Sequence, residues 1–128
     1  MNGLEQWHHV MKEGDMEALY DLLHPDCVFI SPVVHTPQEG REITYAYLRA
    51  ANKALSEDFQ YVREVLQDNH AVLEFTVKVD GIFVNGVDII TFEGDQIVEL
   101  KVMVRPLKAV NAVWKQMGEM LEQLKAAS

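Results

Sequence analysis

The stretch Gly86-Val87-Asp88-Ile89-Ile90-Thr91-Phe92 decides the fold of this chain. Read as an extended strand, its side chains alternate between two faces. Val84, Gly86, Asp88, Ile90 and Phe92 share one face, and Phe83, Asn85, Val87, Ile89 and Thr91 share the other. Both sets are mostly apolar, so composition alone does not say which one meets a core. The first set carries a carboxylate, and its direction matters most for function.

The neighbouring runs are cleaner. Leu73, Phe75, Val77 and Val79 oppose Glu74, Thr76 and Lys78, while Val98, Leu100, Val102 and Val104 oppose Glu99, Lys101 and Arg105. Strand-like runs at 59–67, 71–79, 82–92 and 97–105 are separated by Asp68-Asn69, Asp80-Gly81 and Glu93-Gly94-Asp95. Such breaks between apolar runs are hairpin signals, so a meander of antiparallel strands is expected. Upstream the spacing is helical. Leu4, Trp7, His8 and Met11 share a face, Gly14 breaks the helix, and Asp15 caps a second one over 16–23. His24-Pro25-Asp26 reads as a stop, 27–31 as a short strand ended by Pro32, and 33–39 as a loop. Gly40 opens a third helix to about residue 55, with Ile43, Tyr47, Ala50 or Ala51, and Leu55 as its apolar stripe. Beyond Pro106, Val110, Val113, Trp114, Met117, Leu121 and Leu124 form a last helical stripe. Helices followed by antiparallel strands give an α+β architecture, here one domain over 1–128.

Composition narrows the function. A net charge of −9 with few, dispersed Lys and Arg argues against nucleic acid or an anionic membrane as partner. No apolar run approaches the roughly 20 residues that span a bilayer. The N-terminal residues have no secretory pattern, so a bacterial, cytoplasmic location is expected. Cys27 is the one cysteine, which leaves no internal disulfide and no cysteine-based zinc site. His8 and His9 are adjacent and diverge on a helix, with no His-x-x-x-His spacing, so no metal site is expected, and no cofactor is expected either.

Three local patterns in this order resemble the nuclear transport factor 2-like superfamily, with its ketosteroid isomerases, SnoaL-type polyketide cyclases and limonene-epoxide hydrolases. Gly14-Asp15-Met16-Glu17-Ala18-Leu19 is similar to its turn between helices one and two. Asp26-Cys27-Val28-Phe29-Ile30-Ser31-Pro32, then Gly40, is similar to its first strand and loop. The opening stretch followed by Ile97-Val98-Glu99 is similar to its pocket-lining strand pair. The resemblance implies a cone: a curved antiparallel sheet wrapped around the N-terminal helices, with a C-terminal helix and a cavity at the wide end. It also implies that Asp88 points inward. The expected cavity wall then includes Phe75, Val77, Ile90, Leu100, Val102 and Val104, with Trp7 and Tyr47 from the helices. Two positions of the steroid isomerases are replaced, their helix-one tyrosine by Trp7 and their proton-shuttling aspartate by Ser31. The cyclase acid on the last strand is replaced by Val102. Neither reaction carries over directly.

A carboxylate in an apolar wall is costly when ionised, and desolvation raises its pKa. Asp88 is therefore the candidate acid, able to stabilise negative charge on a carbonyl or epoxide oxygen, as a protonated aspartate does in the ketosteroid isomerases that the chain resembles. Ser31, His35 and Arg105 are weaker candidates. Ser31 needs an activator, His35 sits in a loop, and Arg105 faces outward by strict alternation unless a bend at Pro106 turns it. Val87, Ile89 and Met103 make an apolar patch on the outer sheet face, which suggests a partner; the resemblance implies dimerisation through this face, so a twofold homodimer is expected. Two functions fit. One is an isomerase, hydratase or cyclase acting on a small apolar molecule through Asp88. The other is a non-catalytic small-ligand or dimeric interaction domain.

Overall fold

A computed structural model describes residues 2–127, with side chains to residue 123. The elements run α1 (Gly3–Glu13), α2 (Met16–Leu22), β1 (Leu23–Ile30), β2 (Gln38–Glu39), α3 (Arg41–Ala54), β3 (Glu57–Gln67), β4 (His70–Val79), β5 (Ile82–Glu93), β6 (Gln96–Arg105) and α4 (Leu107–Ala127). Asn2 caps α1, accepting from the Glu5 amide while the Glu5 side chain reaches back. Asp15 caps α2 by accepting from the Ala18 amide. The connection between the two helices turns at Gly14, whose φ of 68° suits a residue without Cβ.

The strands form one curved, open sheet in the order β2-β1-β6-β5-β4-β3. β3 to β6 are the expected antiparallel meander. Its tight β4–β5 turn uses Asp80 and Gly81, both at positive φ, as a two-residue hairpin turn demands. The sheet as a whole is mixed, however, because β1 joins β6 in parallel. No hairpin links those two strands. Their direction is set by the chain returning through α3 and the meander, which hairpin signals do not report.

Three further expectations are corrected. His24-Pro25-Asp26 ends α2 but does not interrupt the next element: β1 begins at Leu23. Pro25 lacks the N–H a ladder needs, and the register with β6 shifts between Leu23 and Val28 to accommodate this stretch. The α3 stripe is rotated. Thr44, Leu48 and Ala50 are buried whereas Ile43 is exposed, because α3 packs between the sheet and α4 and is covered on two adjoining faces. On β6, a bulge between Thr91↔Glu99 and Phe92↔Ile97 buries Ile97 and leaves Val98 half-buried.

The core has two lobes. One gathers α1, α2 and β1 over the β4–β6 strands, around Trp7, Leu19, Phe29 and Ile90. The other gathers α4 and α3 over the same sheet, around Phe75, Val84, Val113 and Met117. The even set of β5 faces inward, which puts Asp88 on the core side of the sheet. Leu124 of the α4 stripe lies outside the described side chains. No helix among the described residues is long and apolar enough to cross a membrane.

Candidate functional site

A cavity of about 670 Å³ lies between the two core lobes. That volume falls within the roughly 300–1,000 Å³ of small-molecule pockets. The sheet supplies Phe29, Phe75, Asp88, Leu100, Val102 and Val104, and the helices supply Trp7, Tyr47 and Leu48. Ser31 continues the inward alternation of Cys27 and Phe29 and also reaches the wall. Its hydroxyl accepts a hydrogen bond from the Val33 amide at 3.1 Å, which ties it to its own turn. The exposed lining residues Lys12, Glu13, Trp114 and Gly118 mark the mouth.

Asp88 is 7% exposed and is the buried acidic residue of the core. The Tyr61 hydroxyl donates to Asp88 Oδ2 at 2.7 Å, and the Trp7 indole N–H donates to the Tyr61 oxygen at 3.0 Å. The three groups form a directed chain ending on the cavity wall. Each group is held from a different element: Trp7 from α1, Tyr61 from β3, Asp88 from β5. Packing fixes the middle member. Tyr61 meets Phe59 edge-on at 5.1 Å between centroids and His8 edge-on at 5.5 Å. His8 Nε2 in turn lies 2.5 Å from Glu64 Oε1, outside hydrogen-bonding geometry.

The electrostatics follow from burial. Desolvation pushes the Asp88 carboxyl from 3.8 up to about 7, and the Tyr61 hydrogen bond pulls it partly back down. Burial, followed by the adjacent Asp88 charge, pushes the Tyr61 phenol far above its ordinary range, so it stays a donor. No cation is within ion-pairing distance of Asp88 among the described residues. A protonated Asp88 keeps Oδ2 as acceptor for Tyr61 and leaves its own O–H free to donate into the cavity. An ionised Asp88 accepts from Tyr61 and from whatever donor the ligand brings. A group with midpoint near 7 exchanges protons readily at neutral pH.

Tyr61 was not singled out in the sequence, although a signal existed. Phe59 and Tyr61 alternate at the start of β3 and both turn inward. The register shift between Tyr61 and Arg63 then leaves Val62 half-exposed and ends the alternation, so the run reads as an indistinct edge strand. Gly86 contributes through absence. A Cβ there would collide with the Phe75 ring, which lies over Gly86 from the neighbouring strand.

Other expected residues sit elsewhere. Val77 and Ile90 point inward but are sealed in the core and do not reach the cavity, since other side chains cover them. His35 is exposed on its loop and does not line the cavity. Arg105 does not turn at Pro106 towards the cavity. It keeps the outward direction of its strand and lines a groove of about 440 Å³ on the other sheet face, with Arg63, Glu74 and Asn85. Among the described residues no group of three or more His, Cys, Asp or Glu is arranged to hold a metal.

Comparison with known proteins bears on the fold and the family. The SnoaL-like domain profile matches residues 4–100. A steroid delta-isomerase from Pseudomonas aeruginosa is 35% identical, with a TM-score of 0.92 over 97% of this chain and 92% of that one. An uncharacterized protein with a cystatin-like fold from Silicibacter pomeroyi is 30% identical, with a TM-score of 0.84 over 91% of this chain and 83% of that one. A putative SnoaL-like polyketide cyclase from Jannaschia shares the fold at 15% identity and a TM-score of 0.70, over 87% of this chain and 90% of that one. No curated protein matches the sequence. The profile match over most of the chain and the two relatives at 30% identity or above show that it belongs to the SnoaL-like family of the nuclear transport factor 2-like superfamily.

Proposed function

We propose that the domain binds a small apolar carbonyl compound in its cavity and acts on it as an isomerase, hydratase or cyclase through Asp88. The observation that carries this reading is the chain from Trp7 through Tyr61 to Asp88, ending on an apolar wall. Asp88 gives a hydrogen bond or a proton to the carbonyl oxygen as negative charge develops there, and Tyr61 and Trp7 hold the carboxyl in place. A preorganised donor in a dry site acts more strongly than one in water. The likeness to a steroid delta-isomerase supports an apolar, carbonyl-bearing ligand. The tethered Ser31 hydroxyl offers no base, so any proton abstraction falls to Asp88 itself or to the substrate.

The test is a panel of apolar ketones and epoxides that includes a β,γ-unsaturated steroid ketone, followed by NMR for turnover. Wild-type protein converts at least one member, and the D88N variant loses most of that rate. Equal rates in both proteins would remove Asp88 from the chemistry. A second reading is favoured by the lining itself: its other acidic residue, Glu13, is exposed at the mouth, leaving Asp88 without an ionised neighbour in the interior. In that reading the cavity holds its ligand unchanged, and ketones bind but are recovered intact.

We also propose a twofold homodimer through the outer sheet face. Val87 and Ile89 are half-buried and Met103 is exposed there, beside Arg63, Arg105 and Glu74, which supply charges of both signs to a self-matching surface. The Ile89→Asp variant is expected to run as a monomer by light scattering. A dimer that survives this change would place the interface elsewhere.

A further inference from the structure

The inner end of the cavity accounts for Trp7, Tyr61 and Asp88. Its mouth holds two residues that internal packing leaves unexplained. Gly118 lies in the interior of α4, where glycine weakens a helix relative to alanine. Glycine is usually kept in such a place for a cap, a positive φ or a close approach. Gly118 meets none of these conditions: it is not a helix end, its φ is not positive, and a Cβ there would meet no described atom within 4 Å beyond its chain neighbours and the backbone of its own helix. It nevertheless lines the cavity. Trp114, one turn earlier on the same face, lines the cavity too, yet 64% of it is exposed. Leu121, almost one turn later, completes this face along the mouth. A large aromatic ring left to water beside a gap in a helix, at the entrance of an apolar cavity, is incomplete without a further apolar group.

We propose that Gly118 and Trp114 are the specificity-determining portal of the cavity. The ligand is an elongated molecule whose acceptor end lies at Asp88 and whose apolar far end leaves across Gly118, against the Trp114 ring. The rim charges Lys12 and Glu13 are of opposite sign, so the far end is uncharged. This inference rests on the cavity binding an apolar carbonyl compound, and it adds the length of that compound and the residues that read it.

The experiment uses the full chain and a series of straight-chain methyl ketones of increasing length, with affinities from calorimetry and tryptophan emission. In the wild-type protein affinity rises by up to about fourfold per added methylene, and continues to rise for the longest members. Those longest members also shift the Trp114 emission to the blue, a shift the W114A variant lacks. The G118L variant binds short ketones within about twofold of wild type, but its affinity stops rising at intermediate length. The N111L variant, which puts the same side chain at an exposed position of α4 away from the cavity, follows the wild-type series and guards against a folding artefact. Identical length dependence in G118L and wild type would overturn the portal while leaving ketone binding intact. Failure of every ketone to bind wild-type protein would overturn the cavity reading and the portal with it. An unchanged ketone series in W114A, together with a change in molecular mass by light scattering, would assign Trp114 to a subunit contact and overturn the portal.

Discussion

Two carboxylates stand almost back to back on adjacent strands and have opposite surroundings. Glu74 of β4 pairs across from Val87 on the outer face, and Asp88, the next residue along β5, faces the cavity. Glu74 has the Arg63 guanidinium at 3.4 Å and the Asn85 amide donating at 3.0 Å, in a half-buried setting. Asp88 has one phenol as partner, no cation within ion-pairing distance among the described residues, and only 7% of its surface exposed. One residue of register therefore separates a surface acid paired with a guanidinium from a buried acid whose carboxyl is pushed up to about 7. Strand alternation creates that separation, and Tyr61 keeps the inner acid from being wholly unpartnered.

The two carboxylates differ most in activity. If Asp88 transfers a proton, the D88N variant loses about 10²- to 10⁴-fold in turnover of a responsive ketone. The E74Q variant, altered on the opposite face, keeps turnover within about twofold, because Asn85 also donates to the Phe75 carbonyl and the strand pairing does not depend on the acid. Both rates come from the same NMR assay, and a comparable loss in E74Q would show that the two faces are not independent.

Stability against pH sharpens the same contrast. Asp88 has a raised pKa in the folded state, so the folded protein binds more protons than the unfolded chain between 3.8 and about 7. Stability from this group is full below that window and is lost as pH rises through it, by about 1 kcal/mol per pH unit at the steepest. Urea denaturation from pH 4 to 8 is expected to show that decline in wild type and a flatter profile in D88N.

A smaller effect comes from Tyr61→Phe. Its hydrogen bond lowers the Asp88 pKa, so its removal moves the Asp88 midpoint further up. The Trp7 N–H also loses its acceptor, and the fold loses about 1–2 kcal/mol in the same denaturation assay. Smallest is Glu74→Ala. Its Arg63 partner is largely exposed, and the loss is expected to stay within about 1 kcal/mol at any pH between 5 and 8.

The architecture was legible because turns and periodicity are local. Asp80-Gly81, the Asp15 cap and the apolar sets of β4 state their roles within a few residues. What escaped involved partners distant in sequence. The parallel β1–β6 pairing joins residues about 70 apart, and the β6 bulge alters its face without any glycine or proline to mark it. The site divided along the same line. Asp88 stands out as the lone charge in an apolar run. Tyr61 lies 27 residues away in an edge strand whose alternation fails one position later, so its hydroxyl is matched to Asp88 only by the fold. Arg105 shows the converse: plain alternation described its direction better than the proline beside it.

Asp88 faces the cavity with its carboxyl pushed up to about 7, so that protonated and ionised forms coexist at neutral pH. Carboxyl ¹³C NMR of aspartate-labelled protein, with the Asp88 resonance assigned by its loss in D88N, measures this directly. A titration midpoint near 7 is the predicted result. A midpoint at or below the ordinary 3.8 would show an ionised, solvated or ion-paired Asp88 and would contradict the account.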